Sequence, residues 1–353
     1  MPVTVLRSDH AGDAAAWDAL VDAAPTPDVY YRPGYVRASA LGAGGPGVGL
    51  VVEDADGGRA LVPLVLRTFE GLSFARGERG GDAITPYGYG GVLPLDDRCT
   101  APGLVGALRA WCAESGLVSV MLRLHPLLRQ AEWPWAESGA EYRRHGPTTA
   151  IELGSWNREV RCITTMRKGH RADLGAARKV LEVRWGREGP ALEAFRALYD
   201  QTMERLGASA AYRFPAAYYE LLAGGLGDRM DVALAYAGDE PVAGAIFLAD
   251  LDHAHYHLSA TRSEGRVRGA TTLLINEGAA WAGARGCKLL QLGGGTGGDD
   301  TLYHFKRGFG GIECEYGFVT LVADPGWYAY LVARRAEAGL PPPRPGFFPA
   351  YRG

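Results

Sequence analysis

The sequence predicts an α/β (α+β) protein made of two halves with similar element order. Three observations point there. Strand-like and helix-like segments alternate along the chain and then alternate again in the same order. The length, 353 residues, is about two domains' worth at roughly 150 residues each. Apolar residues make up 47% and charged residues 22%, enough for full cores and too apolar for disorder. The expected domains are 1–155 and 156–338, with a Pro-rich tail at 339–353. No sequence-level repeat is visible, so duplication here is a statement about element order alone.

In the first half, residues 13–24 have the apolar spacing of a short amphipathic helix ending before Pro25. Residues 48–53 and 60–67 are β-branched-rich runs around Asp54-Ala-Asp-Gly-Gly58, a hairpin signal. A helix at 101–115, a buried strand at 117–124 and a strand at 148–153 follow. The second half repeats the logic. Helices are expected at 157–178, 190–206 and 215–224, and strands at 230–237, 242–250 and 253–260. A helix at 269–284, strands at 287–292 and 312–322, and a helix at 325–337 complete it. The tail from Pro341 cannot continue a helix and is expected to wrap over the surface.

Composition excludes several classes. No apolar run approaches the roughly 18 residues of a membrane span, and the first residues lack a signal-peptide pattern. A cytoplasmic protein is expected. The five cysteines are scattered and form no C-x-x-C pair, so neither a disulfide framework nor a zinc site is indicated. Net charge is −3, which is no polybasic chain. Yet Arg158–Arg187 holds seven arginines and two lysines against three acids, a local net of +6. Such a block attracts phosphates, or is simply a solvated helix face.

Gly293-Gly-Gly295-Thr-Gly-Gly298 satisfies G-x-G-x-x-G after an apolar strand, but Asp299 and Asp300 sit where a pyrophosphate would, and no long helix follows. A dinucleotide site is not expected. No G-x-S-x-G, H-E-x-x-H or P-loop occurs, which leaves nucleophilic and metal mechanisms without support. Arg266-Val-Arg268-Gly269-Ala-Thr271 opens a helix after the second meander. It is similar to the R/Q-x-x-G-x-G/A loop by which GNAT proteins hold the coenzyme A pyrophosphate, with Thr at the last position. Arginines beside a helix N-terminus make a sensible anion site, or an ordinary solvated cap.

Tyr303-His304-Phe305-Lys306-Arg307-Gly308-Phe309-Gly310 puts aromatics and paired cations beside a Gly-rich turn. The pattern F-K-x-x-F-G after a strand and an L-G-G-G loop resembles the Fem-type branch of the GNAT superfamily. Thr85-Pro-Tyr87-Gly-Tyr89-Gly-Gly91 is similar to the Y-G-G/P segment of the first domain in that family. Met166-Arg167-Lys168-Gly-His170-Arg171 is similar to its basic K-x-R-R-x-I segment, and Gly269–Leu292 to its helix–strand unit. The similarity spans roughly residues 25–325. The long helical arm of the cell-wall FemA-like members has no counterpart.

The resemblance implies two tandem GNAT-like acyltransferase domains, with the active cleft in the second half or between halves. It implies transfer of an amino acid from aminoacyl-tRNA to an amine of a small acceptor, in peptide or nucleoside natural-product biosynthesis. The alternatives are an N-acyltransferase using acyl-CoA or a carrier-protein thioester, a peptidoglycan-precursor aminoacyltransferase, and a non-catalytic binding protein. No resident cofactor is implied. Lys306 would support the tetrahedral intermediate or a neighbouring phosphate. Arg167, Lys168, Arg171, Arg266 and Arg268 would hold phosphates, and Tyr87, Tyr89, Tyr256, Tyr303, His304 and Arg307 would line the substrate.

His253, His255 and His257 fall at period two, on one face of a strand. No carboxylate partner is obvious and no metal is expected. The face should line the cleft half-exposed, with His257 as a base or hydrogen-bond donor at the acceptor amine.

Overall fold

The computed structural model describes residues 3–209, 212–262, 267–295 and 300–353. In chain order the elements begin with β1 (Val3–Arg7), α1 (Ala11–Ala23), α2 (Pro33–Ala43), β2 (Gly47–Glu53), β3 (Arg59–Thr68), β4 (Gly81–Ile84) and β5 (Leu93–Pro94). Next come α3 (Ala101–Ser115), β6 (Leu117–Arg123), β7 (Glu141–Glu152), β8 (Trp156–Asn157), β9 (Cys162–Ile163), α4 (Lys168–Ala177) and β10 (Glu182–Gly186). The rest are α5 (Pro190–Arg205), α6 (Ala216–Leu226), β11 (Met230–Ala237), β12 (Glu240–Asp250), β13 (His253–Thr261), α7 (Ala270–Ala284), β14 (Leu289–Gly294), α8 (Thr301–Arg307), β15 (Ile312–Val322) and α9 (Pro325–Glu337).

Contacts divide the chain into two units. Unit one is Met1–Thr26, Tyr30–His145 and Tyr316–Gly353; unit two is Pro27–Val29 and Gly146–Glu315. Both repeat one pattern. In unit one the strands run β1-β2-β3-β4-β6-β15, with β4 and β6 parallel and α3 in the crossover between them. In unit two the order is β7-β14-β13-β12-β11-β10, with β13 and β14 parallel across α7. A parallel pair needs such a crossover, whereas the meanders need only turns.

The strand after each crossover pairs antiparallel with one distant in sequence. β6 takes Phe318–Val322 of β15, and β14 takes Thr148–Glu152 of β7. Residues 316–338, grouped by element order with the second half, therefore lie in unit one, as do 339–353. The second half begins at Gly146 rather than 156.

In unit one, Leu104, Val105, Leu108 and Trp111 of α3 pack on Val48, Leu50, Val62 and Val120. Trp17, Val21 and Val36 of α1 and α2 pack with Leu61 and Leu93. Pro63 occupies mid-β3, and α2 starts with Pro at its first turn, where a missing N–H costs nothing. The tail only partly follows the surface. Residues 340–347 are largely exposed, but Tyr351 is fully buried against Phe69 and Leu331. Its hydroxyl donates to Asp82, and Arg352 pairs with the same carboxylate.

In unit two, α4 and α7 cover one face of the sheet, where Leu174, Leu273, Leu274 and Ile275 meet Phe247, Leu290, Leu292 and Phe309. The single helix expected over 157–178 is broken. Asn157 Oδ1 accepts from the N–H groups of Glu159 and Val160, and Arg161 turns the chain at φ +49°. β8 and β9 then pair, so α4 begins only at Lys168. The short elements β1, α2, β4, β10 and α8 were not anticipated.

Candidate active site

β13 and β14 pair at three positions, His253 with Leu289 through His255 with Gln291, and are not paired beyond. α8 is the next element after β14. Asp300 caps it, Oδ1 accepting from Tyr303 N at 2.9 Å. Lys306 sits in its last turn and donates from Nζ to the Gly294 carbonyl at 2.8 Å. Burial lowers the Lys306 ammonium to about 8, with Asp300 pulling the other way. The ammonium is partly buried and its close partner is a backbone carbonyl, while the Asp300 charge also acts on it. Asp299 itself lies outside the described residues.

The rest of the motif divides by exposure. Tyr303 is buried and its hydroxyl donates to Glu313; Arg307 is exposed, 3.9 Å from the same carboxylate; His304 is exposed. Phe309 is fully buried. Gly308 and Gly310 are explained by the segment packed on them. A Cβ on Gly308 would lie 2.7 Å from both Arg167 Nε and His170 Nε2, and one on Gly310 (φ +76°) 2.5 Å from Thr165 Cβ. Arg167 N donates to Gly308 O at 2.8 Å, and Thr165 Oγ1 to Phe309 O at 2.9 Å. The basic segment and the Lys306 motif, 135 residues apart at His170 and Phe305, thus form one piece of structure. Arg167, Lys168 and Arg171 are exposed there.

The histidine row is buried rather than half-exposed, and it does have a carboxylate. Asp28, itself fully buried, places Oδ2 2.8 Å from His255 Nε2 and 3.2 Å from His253 Nδ1. Sequence reading missed Asp28 because 225 residues separate it from His253. His257 falls at a bulge, since Tyr256 and Leu258 take consecutive partners on β12. Its Nε2 lies 2.9 Å from the Tyr218 hydroxyl, and burial and His255 lower it to about 3. Such an imidazole is neutral at physiological pH and a weak base. Tyr256 faces the opposite way, packed on the apolar core beside Phe247, with its phenol raised to about 12 by burial.

The comparisons agree with this topology. Residues 164–307 match the family of the acetyltransferase (GNAT) domain. FemX superposes with a TM-score of 0.68 at 13% identity, covering 94% of this chain and 99% of that one. L-PGS from Bacillus licheniformis gives 0.56 at 11% identity, over 94% and 97%. A tandem GNAT protein from the clavulanic acid biosynthesis pathway gives 0.50 at 11% identity, over 92% and 100%. The chain has a Fem-like double GNAT fold. No curated protein matches the sequence.

Within this double GNAT fold, α7 opens at Gly269, in the left-handed region at φ +81°. Asp173 of α4 packs against this N-terminus: a Cβ on Gly269 would lie 2.2 Å from the Asp173 carbonyl oxygen, and Arg268 Nε donates to Asp173 Oδ1 at 2.6 Å. Arg266 lies outside the described residues, as does the Thr296–Asp299 part of the glycine run. Tyr87 and Tyr89 belong to unit one. The Tyr87 carbonyl accepts from Tyr35 at 2.5 Å, and Tyr89 stands edge-on to Tyr30 and Tyr316 at 5.7 and 5.0 Å. No helix among the described residues is long and apolar enough to cross a membrane.

Proposed function

We propose that the protein transfers an amino acid from aminoacyl-tRNA to an amine of a small acceptor, forming an amide. The observation that carries the reading is Lys306: a partly buried ammonium on a backbone carbonyl, fixed to an exposed basic segment. Aminolysis of an ester needs a neutral amine and stabilisation of the tetrahedral oxyanion. The amine nitrogen bonds to the ester carbon, whose carbonyl oxygen takes up the negative charge. The amine then loses a proton, and the C–O bond to the ribose breaks as its oxygen is protonated. A cation in a water-poor site is worth most at the moment that charge develops. At about 8 the ammonium is charged at neutral pH and still acidic enough to protonate the departing ribose oxygen.

Arg167, Lys168 and Arg171 would hold the tRNA backbone, with salt-dependent affinity. The Fem-like fold and the resemblance of the F-K-x-x-F-G motif support the donor; natural-product assembly is the setting we favour for the acceptor, in the cytoplasm. A second reading, acyl-CoA as donor, is favoured by the GNAT-domain match at 164–307. It is disfavoured by the Asp173 carboxylate that already occupies Arg268 at the α7 N-terminus.

Single-turnover transfer from pre-charged tRNA tests the proposal, with wild type beside Lys306→Ala. A loss of about 10²–10³ in rate is expected for the variant, the size of one lost oxyanion stabiliser. RNase treatment of the donor should abolish transfer. Equal rates would remove Lys306 from the mechanism, and RNase-resistant turnover would move the donor to a thioester.

A further inference from the structure

A seven-residue helix such as α8 satisfies few of its own backbone groups and does not hold its direction alone. Its orientation must come from what its ends touch. The first end is capped by Asp300. The other end meets His170, a buried ring packed on Phe305 and Phe309 with centroids 4.9 and 4.6 Å away. Arg167 Nε donates to His170 Nδ1 at 3.2 Å, so that nitrogen is the acceptor. The ring proton therefore resides on Nε2, which donates to the Phe305 carbonyl at 2.8 Å. Phe305 immediately precedes Lys306.

We infer that His170 is a positioning residue for Lys306, its Nε2–H fixing the last turn of α8 so that the lysine stays on the Gly294 carbonyl. The inference rests on Lys306 acting in transfer, as proposed above, but its geometry stands apart from the donor. The charged groups that act on the ring are Arg167 and Asp173; burial, the largest effect, and Arg167 favour the neutral ring that the tether requires, against the Phe305 bond and Asp173. A ring that merely filled space would be replaced without loss by phenylalanine. Glutamine, by contrast, carries an N–H donor near the position of Nε2 and should restore the bond.

The test reads Lys306 directly. The chain has four lysines, so 15N-labelled lysine gives an assignable ammonium titration. In wild type and His170→Gln, Lys306 should titrate near 8; in His170→Phe it should rise by about one unit or more toward 10.5 as the freed turn exposes it. Single-turnover transfer should fall about tenfold in His170→Phe, because the ammonium is no longer held where the oxyanion charge develops, and should recover in His170→Gln. If His170→Phe does not fold, Gly308→Ala serves in its place, because its Cβ drives against Arg167 Nε and His170 Nε2. A folded His170→Phe whose Lys306 titrates and transfers like wild type overturns the inference. A Lys306 titration that responds as expected in a protein with no tRNA-dependent transfer keeps the tether and discards the donor.

Discussion

Unit one buries a carboxylate between two arginines. Asp82 is 1% exposed, and its oxygens receive Arg67 Nε at 2.6 Å, Arg352 Nε at 2.5 Å and the Tyr351 hydroxyl at 3.1 Å. Unit two partly buries a cation instead, and gives Lys306 a neutral carbonyl as its close partner. The first arrangement repays desolvation with opposite charge and binds the end of the chain to β3 and β4. The second leaves much of the desolvation penalty standing, which is why the ammonium is lowered. A buried charge with its full complement belongs to the scaffold. One held short of it is available to a charge that arrives during a reaction.

The comparison breaks most visibly at Asp82. Asp82→Ala leaves Arg67 and Arg352 facing each other without an anion, and about 3–5 kcal/mol of stability should be lost in urea denaturation. Transfer per folded molecule should not change. A loss under about 1 kcal/mol would mean the cluster is solvated, and the contrast with Lys306 would fail.

Lys306→Met is the counterpart. It should lose about 10²–10³ in rate, equivalent to roughly 2.7–4 kcal/mol of barrier, yet melt no lower than wild type at pH 7. The sign follows from linkage. The folded state holds the Lys306 proton less tightly than the unfolded chain, so wild type gains stability relative to the variant as pH rises from about 8 to 10.5. A variant that melts lower at pH 7 and keeps turnover would make Lys306 structural. In wild type, single-turnover rate should fall above about pH 8 as the charge is lost, and that limb should be missing from Lys306→Ala.

A smaller effect is expected from replacing Arg167, Lys168 and Arg171 with alanine together. The salt dependence of tRNA affinity should flatten by about two to three in log–log slope. Titrations matching wild type at every salt concentration would leave the basic segment as a solvated face that merely packs on Gly308.

Much of this was legible before the structure. The element order, the crossover helices and the Lys306 motif follow from periodicity and local composition, which are short-range signals. The basic segment was marked by its charge and by its similarity to the K-x-R-R-x-I segment, and His170 lay inside it without a role, because its partner Phe305 is 135 residues away. Asp28 was invisible for the same reason. The domain boundary was misplaced because β7 and β15 each contribute residues to both units, and strand pairing across 195 residues, as between Phe318 and Arg123, leaves no mark on hydrophobic pattern. The tail from Pro341 reads as surface chain because five prolines and two glycines outweigh its three aromatics, yet burial of Tyr351 and the Asp82 pair decide its path.

The smallest expected effect is at Arg268, and it sharpens the choice of donor. Its pair with Asp173 is largely exposed on the arginine side, at 74%, so Arg268→Ala should change stability by no more than about 1 kcal/mol. A helix N-terminus with free arginines would attract a diphosphate, but here the Asp173 backbone stands beside Gly269 and its carboxylate holds the Arg268 guanidinium. Asp173→Asn removes that carboxylate and releases Arg268. If the loop were a coenzyme A site held back by Asp173, acyl-CoA affinity measured by calorimetry would rise in Asp173→Asn and fall in Arg268→Ala. With aminoacyl-tRNA as donor, acyl-CoA heats should be the same in wild type and both variants. A rise of tenfold or more in Asp173→Asn would correspond to about 1.4 kcal/mol recovered at that N-terminus, and would return the thioester donor to first place.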